Sequence, residues 1–194
     1  MQPLAASDLM SLEQYARERP ALRARMIQYR RTRQLSVGAH CTWNFEDRLT
    51  VYYQVQEMLR TERIFEPDGI AEELGAYNPL IPDGSNLKVT LLIEYTDAQE
   101  RGRQLVALRG FERHCWMQVQ GCERVPAIPD EDLPRENDVK TSAVHFLRFE
   151  FSAAMIASLK AGAALGAGVD LPAYRYSVEP LPEPLRGALL ADFD

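Results

Sequence analysis

The chain has 194 residues, 46% of them hydrophobic and 26% charged, with a formal net charge of −6. That length and composition suit one globular domain able to bury roughly 70% of its unfolded surface, and they exclude a disordered chain. The acidic balance disfavours general binding to phosphate backbones, so no nucleic-acid partner is expected.

Ser7 or Asp8 can cap a first helix, which Pro20 divides, with Leu12, Tyr15, Leu22, Met26 and Tyr29 on its apolar side. Arginines crowd this stretch: Arg19, Arg23, Arg25, Arg30, Arg31 and Arg33. Two readings stay open for them, a solvated helix face or a local anion or partner patch. Leu35 to Trp43 alternates as a strand. Arg48 to Ile64 is the clearest helix, with Val51, Tyr52, Val55, Met58 and Leu59 spaced at three and four. This stripe is expected to pack on the sheet.

A short helix follows from Pro67 to Tyr77, stopped by Asn78-Pro79, and then a turn at Pro82-Asp83-Gly84. Leu87 to Tyr95 is the best strand, with Lys88, Thr90, Leu92 and Glu94 on its second face. Asp97 caps a helix to Leu108. Arg113 to Val119 and Glu123 to Ile128 form a hairpin about Gln120-Gly121. Ile128 to Asp138 is a proline- and acid-rich surface loop.

Val144 to Phe151 is a strand with His145, Leu147, Phe149 and Phe151 on one face. Ala153 to Leu165 is a small-residue helix broken by Gly166, Gly168 and Pro172. Tyr174 to Val178 reads as an edge strand, and Pro182 to Phe193 as a last helix. The fold class is α+β, a mainly antiparallel sheet with helices packed on it; the alternative is α/β with a doubly wound parallel sheet. One domain spans residues 1–194, with residues 1–7 and 180–194 loosely ordered.

Three cysteines cannot all pair within the chain, and the start lacks a basic, then apolar, secretory pattern. Reduced thiols in a cytoplasmic protein are therefore expected. The apolar run Ala153 to Val169 is too short and too interrupted to span a membrane. There is no GxxxxGK[ST], GxGxxG after a strand, HExxH, GxSxG or CxxC, and no cofactor is expected.

His40-Cys41 and His114-Cys115 each lie on a strand, where neighbours point to opposite faces. A metal site would need one member of each pair, drawn from candidates His40, His114 and Cys115, with help from Cys122 or a carboxylate; the plainer reading is no metal and buried thiols. Tyr53, Gln56, Glu57 and Arg60 share one flank of the Arg48 to Ile64 helix, with Asn78, Asp83 and Asn86 as a rim. That set offers an arginine clamp and a carboxylate base for an anionic small molecule; otherwise it is an ordinary solvated face. Glu94, Arg148 and Glu150 can meet on the second face of the sheet, and His145 points to the other, as a core residue or a catalyst.

Four segments carry a resemblance: Phe45 to Arg60, Tyr77 to Leu87, Thr141 to Glu150, and Gly168 to Tyr174. Together they resemble a bacterial family known as domain of unknown function 3501, over about Leu9 to Tyr174. The resemblance implies no chemistry and transfers no catalytic residue. It implies a setting beside a rubrerythrin-like diiron protein and an iron–sulphur oxidoreductase, hence oxidative-stress metabolism. The expected function is an accessory or partner-binding protein of that redox system, with an interaction surface or a homodimer. The alternative is an enzyme or small-ligand binder using the Tyr53, Glu57 and Arg60 site.

Overall fold

The computed structural model describes residues 1–129 and 140–193. The fold is α+β, and among the described residues it is built on two antiparallel sheets rather than one. The first sheet has the order β1 (Gln34–Ser36), β2 (Cys41–Glu46), β3 (Asn86–Ile93), β7 (Val144–Glu150) and β6 (Ile128–Pro129). The second has the order β5 (Arg124–Pro126), β4 (Cys115–Val119), β8 (Leu165–Leu171) and β9 (Tyr174–Val178). Period-two alternation explains how they meet. Trp43, Phe45, Val89, Leu91, Leu147 and Phe149 of the first sheet share one hydrophobic cluster with Met117, Val119, Leu165, Ala167 and Val169 of the second. The polar residues between them on β2, β3 and β7 face away from that core.

Among the described residues there are six α-helices. They are α1 (Leu12–Arg31), α2 (Arg48–Glu62), α3 (Pro67–Tyr77), α4 (Ala98–Ala107), α5 (Ala153–Lys160) and α6 (Glu183–Leu190). Leu105 and Leu159, with Leu185 and Leu189, join α4, α5 and α6 to the core between the sheets. The stripe of α2 does not. Val51, Val55 and Leu59 form a second cluster with Leu4, Leu74 and Ile81, so α2 packs on α3 and the N-terminal segment.

Several boundaries differ from the sequence reading, each for a local reason. Ser11, not Ser7 or Asp8, caps α1 by accepting from the Gln14 amide, and Ala6–Asp8 is a short 3-10 turn. Pro20 sits inside α1 without dividing it, because Tyr15 and Met26 on either side are both buried. Leu35 to Trp43 is a hairpin and not one strand, since Gly38 at φ 76° turns the chain between β1 and β2. The helix expected over Ala153 to Leu165 stops at Lys160, and Leu165–Leu171 is a strand. Its glycines serve close packing: Trp116 lies over Gly168 and Glu179 over Gly166.

Leu4 is buried, and Leu181, Leu185, Leu189 and Phe193 lie in the main core. Most of the expected loop over Ile128 to Asp138 lies outside the described residues; Ile128 and Pro129 pair with β7. No helix among the described residues is long and apolar enough to cross a membrane.

Candidate functional site

The ten candidate site residues occupy four separate places. The first is the seam between α1 and α2. Glu57 accepts from the Tyr15 hydroxyl at 2.5 Å and from Arg19 Nε and Nη2 at 2.7 and 2.8 Å. The hydrogen bonds from Arg19, with those from Tyr15, hold its carboxyl below the ordinary range despite partial burial. Glu57 is thus hydrogen-bonded to α1, while Arg60, exposed on the same helix, adds its charge as a smaller influence. Gln56 is fully buried and holds the N-terminal segment, with the Met10 amide donating to its Oε1 at 2.7 Å. Tyr53 lies beneath the Arg30 guanidinium, 5.6 Å from ring centroid to Cζ. The flank expected to be free is therefore the packing surface for α1.

The second place is the N-terminal segment again: Asn78 clasps Leu4, accepting from its amide at 2.8 Å and donating to its carbonyl at 3.0 Å.

The third is the outward face of the five-stranded sheet, where four candidates do converge. Asp83 accepts from the Ser85 amide and hydroxyl and from the Asn86 side chain, each at 2.8 Å. Burial pushes the Asp83 carboxyl up, but the Ser85 hydrogen bonds and the Lys88 charge outweigh it and leave it below its ordinary value. Asn86 Nδ2 also donates to Glu150 at 3.2 Å, and Glu150 pairs with Arg148. Strand register sets Arg148 opposite Lys88, and Lys88 opposite Glu46, in one row across three strands.

Glu46 is buried and fully engaged. Its oxygens accept from Thr50 at 2.5 Å, Gln54 at 3.1 Å and Thr90 at 2.6 Å. Glu94 does not join this cluster. It follows β3 six residues beyond Lys88, about 20 Å along the strand, and accepts from Thr42 instead. Sequence reading missed Glu46 and Lys88, although the polar alternation of β3 already placed Lys88 beside Thr90.

The fourth place is the core. His145 is 3% exposed; its Nε2 lies 2.9 Å from the Thr141 hydroxyl and 3.0 Å from the Ser142 carbonyl, and its Nδ1 lies 3.9 Å from Glu112. Glu112, unnoticed in the sequence, is itself buried in the short turn before β4.

His40, His114, Cys115 and Cys122 do not converge. Cys115 points into the core, His114 is exposed on the preceding turn, and His40 stacks on Tyr95 with centroids 4.0 Å apart. Among the described residues no group of three or more His, Cys, Asp or Glu side chains is placed to hold a metal ion. All three cysteines are free thiols. Burial pushes Cys41 up to about 12 and Cys115 well above its ordinary value, so both are held protonated.

The basic cluster divides as well. Arg33 is buried, Arg19 is taken by Glu57 and Arg30 lies over Tyr53, while Arg17, Arg23, Arg25 and Arg31 are exposed along α1. Exposed Ile27 lies among them. Helix α1 holds six arginines and two glutamates, a net of +4 on a chain whose total is −6. It is a cationic surface on an acidic protein.

No curated protein matches this chain. Among solved structures it is similar to a novel protein of unknown function from Burkholderia pseudomallei K96243, at 46% identity and a TM-score of 0.95, covering 100% of both chains. The family model described as protein of unknown function (DUF3501) matches residues 3–193. Since that match takes in both sheets and the six helices of the described residues, the chain belongs to the DUF3501 family.

Proposed function

We propose that this protein is a cytoplasmic, non-catalytic accessory of a redox or oxidative-stress system, and that it docks an acidic redox protein on the outward face of α1. The partner would be of the rubrerythrin-like diiron or iron–sulphur oxidoreductase kind implied by the family's setting. One observation carries the reading: Arg17, Arg23, Arg25 and Arg31 stand exposed on one rigid helix of an otherwise acidic molecule. Such a patch speeds encounter with an acidic surface and turns away basic ones. The core thiols, held protonated, suit a binding role better than a thiol-based one.

Binding of purified diiron and iron–sulphur partners, measured by calorimetry under reducing and oxidising conditions, tests this. Wild-type protein should bind one of them, more weakly as salt rises. The triple change R17E/R23E/R25E should weaken binding about tenfold or more while the circular dichroism spectrum stays unchanged. Failure of the wild type to bind either partner in either redox state defeats the proposal.

A second reading, capture of an anionic small molecule, is favoured by one specific feature. Lys88 and Arg148 are cross-strand neighbours on a half-buried polar face. Two cations side by side suit a carboxylate or phosphate, which would compete with Glu150 for Arg148. Thermal-shift measurements with simple carboxylates and inorganic phosphate should show stabilisation in the wild type and none in K88M/R148M. Equal shifts in both proteins would remove this reading.

A further inference from the structure

Among the described residues the two sheets end on four strands: β1 and β6 in one, β5 and β9 in the other. An open strand edge is a template for another strand, and proteins guard such edges by shortness, proline or charge. Strand β1 has three residues; β5 has three and ends on Pro126; β6 has two and ends on Pro129. Strand β9 is different. It runs five residues, Tyr174–Val178, without a proline, and Arg175, Tyr176 and Ser177 are all exposed.

The hydrogen-bonding phase of that edge follows from its hairpin. Only Pro172 and Ala173 link β8 to β9, with Leu171 opposite Tyr174. In a two-residue hairpin the flanking residues bond to each other, and the pattern then alternates. The backbone groups of Tyr174, Tyr176 and Val178 therefore turn to β8, and those of Arg175 and Ser177 turn outward.

We propose that two copies of this chain pair antiparallel through β9, with Ser177 on the twofold axis. The outward amides and carbonyls are then in phase: Ser177 meets Ser177 of the second copy, and Arg175 meets Glu179 of the second copy. Because the contact is isologous, the Arg175–Glu179 pair forms twice. Both side chains are exposed, and neither makes an ion pair among the described residues. On the other face Tyr176 meets Val178, an aromatic against a β-branched residue.

Moving the axis to Tyr176 sets Arg175 against Ser177 and loses both ion pairs, so charge selects the register. This self-complementarity is the reason to name a second copy, rather than a foreign peptide, as the occupant. The product is two four-stranded sheets joined into one continuous sheet. This surface is separate from α1, so it stands or falls independently of the docking reading.

Sedimentation equilibrium decides it. The wild type should reach twice the 22.0 kDa chain mass as concentration rises. R175E and E179R should each weaken the dimer about tenfold or more, because each sets like charges opposite one another twice. The double variant R175E/E179R should restore it. S177P, which removes the outward N–H at the axis, should give a monomer; should it fail to fold, the charge exchange decides alone. A wild type that stays monomeric at millimolar concentration overturns the proposal, and so does a dimer indifferent to both single charge reversals.

Discussion

The Arg33 guanidinium donates to the Asp192 carboxylate, joining residues 159 positions apart where neither side chain is more than 3% exposed. Arg33 also lies 3.4 Å from Asp47 and donates to the carbonyls of Phe45 and Ala188 at 3.1 Å and of Glu46 at 3.3 Å. Tyr29 donates to Asp47, and Asp47 caps α2 by accepting from the Thr50 amide at 2.8 Å. One buried cation thus ties the exit of α1, the start of α2 and the C-terminal segment together. Removing it strands two buried carboxylates. Arg33→Met should destabilise the protein by about 3–5 kcal/mol, read as a lower urea midpoint.

Asp192 gives this knot a pH dependence. Burial raises its carboxyl from 3.8 to about 6, against the opposing pull of Arg33. A carboxyl raised on folding favours the folded state most when protonated. Its contribution is therefore full below its ordinary value and is lost as pH rises through about 6. Unfolding free energies of wild type and Asp192→Asn, compared between about pH 4 and 6, should show the wild type losing stability relative to the variant. A constant difference across that window would show that Asp192 titrates normally.

Gln56 holds the N-terminal segment from a fully buried position. The Met10 amide donates to its Oε1 and its Nε2 donates to the Met10 carbonyl at 3.4 Å. Gln56→Ala leaves both backbone groups without that partner and should cost about 1–3 kcal/mol. Hydrogen exchange should quicken at Met10 and Leu4 before it quickens in the sheets.

Gly168 has no room for a side chain. A Cβ there would lie 2.5 Å from Trp116 Cζ2 and 2.8 Å from the Tyr176 carbonyl oxygen. The ring could shift; the backbone of β9 could not without breaking its pairing. Gly168→Ala should destabilise by about 1–3 kcal/mol, whereas Gly102→Ala, with open space around it, should not. Thermal melts of the two variants side by side make the comparison.

The thiols should separate by accessibility. Cys41 and Cys115 are buried and raised in pKa, and Cys122 is only half-buried. A maleimide should label Cys122 in the native protein and all three cysteines only after unfolding, as peptide mass mapping would show. Rapid native labelling of Cys115 would mean that the core between the sheets opens readily.

Local periodicity was enough to reveal most elements and the α+β class. The alternation of Leu87, Val89, Leu91 and Ile93 announced β3, and all four are buried. The spacing of Val51, Val55 and Leu59 announced α2. The same pattern could not say what those stripes meet, because an apolar face fits a sheet or another helix equally well. Hence α2 proved to rest on α3 and the N-terminus, and Gly166 and Gly168, read as helix breakers, proved to be strand glycines beneath long side chains.

The candidate site followed the same divide. The sequence supplied Asp83, Asn86, Arg148 and Glu150 as polar residues near turns and on one strand face. Only the register of three strands lined Glu46, Lys88 and Arg148 into a row, and only the packing of α1 brought Arg19 to Glu57. Propensity and periodicity act over a few residues, so they are written in the chain. Pairing of charges 38 or 159 residues apart is decided by which surfaces the folded core brings together.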